Sequence, residues 1–135
     1  MMHNMVVHQN ENIRITFDEE KKRLVQEWNG FAPSGVFREA IDQTVDFIKK
    51  NNVTTVLSDA LNQSVVNSED AEYAASVLPT MARNGMKAMA FVVPENVFAQ
   101  FALDKFSKNV EGAPTQYFKS IKKAEQWLDE YSGSN

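Results

Sequence analysis

The feature that most restricts how this chain can fold is the run Val53-Thr54-Thr55-Val56-Leu57, apolar or β-branched at successive positions rather than at alternate ones. A strand with one face in water alternates, so a run apolar on both faces predicts a central strand covered by helices. Residues 86–93 predict a second interior strand of the same kind. Ser58-Asp59 closes the first run, which puts Asp59 at the carboxyl end of a central strand. Open α/β sheets form their ligand crevice at such ends, because the loops diverge there. The loop over residues 61–67 follows. Asn67, with Asp70 three residues on, reads as an N-cap opening a helix whose free N–H groups face the same crevice.

Earlier in the chain, Asn12-Ile13-Arg14-Ile15-Thr16-Phe17 alternates, and Arg23-Leu24-Val25-Gln26-Glu27-Trp28 follows a charged turn. The two predict an antiparallel hairpin. Pro33-Ser34 marks a helix start, and Phe37, Ile41, Val45 and Ile48 form a helical stripe running to residue 50. A second helix is expected over residues 68–84, burying Ala71, Ala74, Ala75, Leu78 and Met81. Pro79 removes a backbone donor inside it, so a kink or break is expected near residues 76–78, and Asn84-Gly85 supplies its stop.

Pro94 ends the second interior strand, and Asn96 is expected to cap a third helix with the aromatic stripe Phe98, Phe101 and Phe106. A short strand over residues 115–118 precedes a fourth helix, capped by Ser120 and apolar at Ile121, Ala124, Trp127, Leu128 and Tyr131. The order is ββαβαβαβα. Right-handed crossovers then give an α/β fold: an N-terminal antiparallel hairpin joined to a mostly parallel five-stranded sheet, with helices packed on it. Residues 1–11 read as an N-terminal tail and residues 12–131 as one domain.

Composition removes several chemistries. With no Cys there is no disulfide, thiol nucleophile or Cys-bound metal. His3 and His8 both fall in the tail, which argues against an imidazole base or a His-rich metal site. The longest apolar run, residues 88–93, is far short of the roughly 20 residues that a membrane span needs. Residues 1–10 lack the basic start and apolar stretch of a secretory signal, so a cytoplasmic location is expected. A net charge of −4 with scattered Lys and Arg makes nucleic acid an unfavoured partner. The five glycines form no phosphate-cradling pattern, and carboxylate pairs such as Asp42 with Asp46 lie along a helix rather than converging. No metal, no cofactor and no enzyme activity are therefore expected.

Residues 12–17, the strand ends Trp28-Asn29-Gly30 and Leu57-Ser58-Asp59, the helix start Ser68-Glu69-Asp70, Gly85-Met86-Lys87-Ala88, and the closing Tyr117-Phe118, Ala124 and Trp127-Leu128 together resemble the SpoIIAA-like family, also called STAS/SEC14-like. The resemblance spans essentially the whole chain. It implies a STAS/SpoIIAA-like α/β fold and a non-enzymatic role, with two themes among relatives: regulatory protein binding by anti-sigma factor antagonists and lipid binding by SEC14-type proteins. The antagonists carry Asp-Ser-Ser/Thr-Gly at the end of the central strand, with a Ser phosphorylated as the switch. Here Asp59 matches the Asp, but Ala60-Leu61-Asn62 follow it, so the switch residue is missing from its place.

The expected role is thus a small binding or regulatory domain taking a lipid-like or other apolar ligand in the crevice. The alternative is a protein-interaction module, and a homodimer is a further option. Ligand-binding candidates are Ser58, Asp59, Asn62, Ser68, Trp28, Phe98 and Phe101; Ser64 and Ser68 are the candidates for a displaced regulatory Ser. Each has a plainer reading. Asp59 could hold its loop through backbone N–H groups, Ser68 could cap a helix, the Phe residues could be ordinary core, and Trp28 with Phe31 could cover a sheet edge.

Overall fold

The alternating segment forms its hairpin: β2 (Ile13–Asp18) pairs antiparallel with β3 (Arg23–Gly30) and turns Ile13, Ile15 and Phe17 into the core. The computed structural model describes residues 4–103, 108–110 and 113–132; the side chains of residues 100–103 and 108–110 fall outside that description, as do residues 104–107 with the expected stripe residue Phe106. Beyond β3 the sheet turns parallel. β4 (Thr55–Gln63), β5 (Ala88–Val92) and β7 (Ala113–Phe118) follow side by side, and β6 (Lys108–Val110) runs antiparallel to β7 at the far edge. The opposite edge is β1 (Asn4–Gln9), so the seven strands lie in the order β1-β2-β3-β4-β5-β7-β6.

The helices are α1 (Ser34–Lys50), α2 (Ser68–Ser76), α3 (Leu78–Arg83), α4 (Glu95–Leu103) and α5 (Ile121–Asp129). β4 is apolar on both sides because both sides are covered. Val56 joins the core of Ile13, Leu24, Phe37, Ile41 and Ile48 on the α1 face, while Leu57 meets Ala124 and Leu128 of α5 on the other. The expected α/β architecture is therefore present, with two strands more than the five expected, one at each edge.

Several local expectations are corrected. Residues 4–9 are a strand of the sheet and not a tail; a bulge at Val7, between the rungs Val6–Thr16 and His8–Ile15, breaks the alternation that would have marked them. β4 does not stop at Asp59 but continues to Gln63. Its extension turns polar at Asn62 and Gln63, where among the described residues it is laddered to β3 alone, the last rung with β5 being Asp59–Val92. The second helix breaks at Val77 into α2 and α3, with Pro79 in the first turn of α3, which is where the proline required it.

Its burial differs from expectation. Met81 is buried, but Ala71 and Ala75 are exposed, and Ala74 and Leu78 only half-buried, because α2 rests on α1 rather than on the sheet. α4 begins at Glu95, directly after Pro94, so Asn96 lies inside the helix instead of capping it. Ser120 does cap α5, accepting from the Lys123 N–H at 3.3 Å, although Ile121 is exposed.

Candidate functional site

At the carboxyl ends of the strands the ladder between β3 and β4 carries an irregularity. From the rung Glu27–Asp59 to the rung Asn29–Asn62, β3 advances two residues and β4 three, so β4 holds one residue more than its partner. A bulge leaves a backbone N–H out of the ladder. Asp59 answers this: its Oδ1 accepts the Leu61 N–H at 3.1 Å. Past the bulge the two strands run on together to Gly30–Gln63, Ser64 N–H donates to the Gly30 carbonyl at 3.0 Å, and Gly30 takes φ +68° to end β3.

The polar and aromatic residues expected near this end separate into inner and outer sets. Trp28 and Ser58 meet on the α1 face, where the indole Nε1–H donates to Ser58 Oγ at 3.1 Å and the ring stacks on Phe37 with centroids 5.0 Å apart. Both are buried. Asp59 faces the opposite way, as the next residue on a strand must. Asn62, Ser64 and Ser68 are exposed; Ser68 is the first residue of α2, whose cap is Asn67, accepting from the Asp70 N–H at 2.8 Å. Phe98 is half-buried in the first turn of α4, with Lys119 Nζ 5.3 Å from its ring centre. Phe101 belongs to α4, but its side chain lies outside the described residues. Trp28 and Ser58 are thus brought together, and Asn62, Ser64 and Ser68 are not joined to them.

Two features at this end have only faint sequence signals. The first is a clamp on Asp70, the one described residue of α2 that is buried. Ser34 Oγ donates to its Oδ2 at 2.7 Å, Arg38 Nε to its Oδ1 at 2.8 Å, and Asn67 Nδ2 to its Oδ2 at 3.2 Å. The bonds from Ser34 and then Arg38 hold the carboxyl below its ordinary value despite burial, and the bond to Asp70 raises Arg38. The Arg38 guanidinium also lies 4.8 Å from the ring centre of Tyr73, whose hydroxyl donates to Asp42; that bond to a carboxylate pushes the phenol up. The sequence marked Asp70 only as the N-cap partner of Asn67; its bonds to Ser34 and Arg38 had no sequence signal.

The second is apolar exposure. Phe31 is 62% exposed and Val65 87% exposed, one and two residues past the last rung, Gly30–Gln63, of β3 and β4. Phe31 was visible as an aromatic next to a glycine, whereas Val65 could have been noticed only as an apolar residue in an otherwise polar loop. A shallow, open cleft of about 520 Å³ lies elsewhere, between α1 and the α2–α3 pair, lined among others by Asp42, Asp46, Lys49, Tyr73, Val77 and Thr80. Among the described residues no group of three or more His, Asp and Glu side chains converges as a metal site, and no helix is long and apolar enough to cross a membrane.

This arrangement of sheet and helices defines a SpoIIAA-like α/β domain. No protein-family model matches the chain, and no curated protein matches it. A solved structure does: an uncharacterized protein from the DUF3478 family with a SpoIIAA-like fold, from Shewanella loihica PV-4. The two superpose with a TM-score of 0.53 over 95% of each chain at 13% sequence identity, so what they share is the fold.

Proposed function

We propose that the protein is a non-catalytic docking module that binds a protein partner at the carboxyl rim of β3 and β4. The observation that carries this reading is the pair Phe31 and Val65, large apolar side chains held in water at 62% and 87% exposure in the segments that follow the adjacent strands β3 and β4. Exposed apolar residues among polar ones mark interaction surfaces, and the residues on either side of Val65 in sequence include Asn62, Gln63, Ser64, Asn67 and Ser68, all uncharged. Binding there requires no rearrangement. A lipid-like ligand seated beside Ser58 would first have to part the bonded pair Trp28 and Ser58. The polar groups at this end are engaged within the chain: Ser58 by Trp28, Asp59 by Leu61 N–H, and Asp70 by Ser34 and Arg38.

The test is the double variant Phe31→Ser with Val65→Ser. Both side chains stand in solvent, so thermal unfolding should be unchanged. Partners captured from cells by the wild-type chain are purified and their affinities measured. Truncating two anchors should weaken the true partner at least about 10-fold. Equal binding of every captured protein to both chains would refute the rim as the contact surface. Lipid-like molecules extracted in a fixed ratio from both chains would replace this reading with ligand binding.

A further inference from the structure

The edge of the sheet opposite β6 is β1, six residues with the sequence Asn4-Met5-Val6-Val7-His8-Gln9. Open edges present unpaired N–H and C=O groups, and proteins usually guard them with Lys, Pro or other charge. β1 contains no Asp, Glu, Lys, Arg or Pro. It is also apolar on both sides. Met5 is opposite Phe17 on the α1 face and is 49% exposed; Val6 is opposite Thr16 on the other face and is 48% exposed. Val7, displaced by the bulge, leans onto the core of the α1 face.

From this edge we infer that β1 is a self-association surface, on which a second copy of the chain adds its own β1 antiparallel about a two-fold axis near Val6. A helix or a compact ligand could cover only one face of the edge, whereas an added strand covers Met5 and Val6 together while pairing the edge backbone groups that no other described strand pairs. A two-fold interface sets the same patch against itself, and two strands without Asp, Glu, Lys or Arg meet with none of those charges opposed. Centred on Val6, the register sets Val6 against its own copy on one face and Met5 against Val7 on the other, so the opposed side chains share a face as antiparallel pairing demands. The bulge keeps the joint short. A joint confined to part of one six-residue strand belongs with small interfaces, so the dimer is weak and concentration-dependent. This surface is distinct from the Phe31 and Val65 rim, and the two readings stand or fall separately.

Sedimentation of the wild-type chain, followed from micromolar toward roughly millimolar concentration, should show its mass rise from 15.3 kDa toward twice that value. Val6→Lys, which places charge on the two-fold at a position open to water, should hold the monomer mass throughout with unchanged thermal unfolding. Because the chain has no Cys, Val6→Cys provides an independent reading: the two thiols would face each other and, with oxidised glutathione added as the two-electron oxidant, should form a disulfide-linked dimer rapidly, which Arg14→Cys on β2 should not. A wild-type chain that stays monomeric at the highest concentration overturns the proposal. So does a Val6→Lys dimer as strong as the wild type, or cross-linking at position 14 that matches position 6.

Discussion

Asp70 is a carboxylate where a helix would ordinarily bury an apolar side chain, and its surroundings explain why it is tolerated. Three side-chain donors, Ser34, Arg38 and Asn67, take up its two oxygens, and the Arg38 charge compensates its own. It thereby joins the starts of α1 and α2. The same bonds dictate a pH dependence. A carboxyl held lower in the folded state than its ordinary 3.8 is protonated first in the unfolded chain, so in that window unfolded molecules bind more protons and stability rises with pH. The contribution is fully present above about pH 5 and is lost as pH falls through the folded-state value. Asp70→Asn should therefore flatten the acid limb of stability measured by urea unfolding between about pH 6 and pH 3. An unchanged limb in the variant would show that the clamp contributes nothing. Only the cap half of this arrangement was legible, because Asn67 and Asp70 are neighbours in sequence whereas Ser34 and Arg38 lie over thirty residues away.

At the scale of elements, what the sequence reveals depends on how local the cause is. β2, α1, the break at Pro79 and the doubly covered β4 follow from periodicity or from one residue's geometry, and they were legible. β1 was not, since its bulge at Val7 destroys alternation, and neither was the end of β4, where Asn62 and Gln63 are polar and, among the described residues, laddered to β3 alone. The crevice argument singled out the carboxyl end of the central strand, which the structure moves from Asp59 to Gln63. It did not anticipate that Trp28 and Ser58 would bond to each other, a contact set by the parallel register of two strands. The turn that ends β3 depends on Gly30 at φ +68°, a left-handed conformation that side chains with a Cβ disfavour. A Cβ at that position would come no nearer than 3.7 Å to Asn12 Nδ2, so the strain is torsional and not a clash. Gly30→Ala should destabilise the fold by about 1 kcal/mol in denaturant titration, and Gly30→Asn by less, since Asn tolerates this region. Equal stability of Gly30→Ala and wild type would show that the turn relaxes out of the left-handed region.

Across the whole molecule, the two faces of the sheet are closed by different means. The α1 face holds the larger aromatic core. The α5 face is smaller, and the end of its helix is tied back to the start of β3 through Arg23, which is 3% exposed. The Arg23 guanidinium donates from Nε to Thr55 Oγ1 at 3.0 Å and from Nη2 to Asp129 Oδ1 at 2.8 Å and Ser132 Oγ at 3.1 Å, joining residues 106 positions apart. Burial alone would raise the Asp129 carboxyl, but the bonds from Arg23 and Lys21 outweigh it and hold it low. Removing one partner of a fully buried pair costs about 3–5 kcal/mol, because the other charge is left uncompensated. Asp129 is 47% exposed, so water reaches the vacated position and the expected cost is smaller. Asp129→Ala should destabilise the chain by about 1–2 kcal/mol. Lys21→Ala, which removes the exposed partner at 3.2 Å, should change stability by less than about 0.5 kcal/mol. Urea unfolding of the two variants separates these effects. If both variants cost the same, the link between α5 and β3 is an ordinary surface ion pair, and Arg23 is held by Thr55, Ser132 and packing.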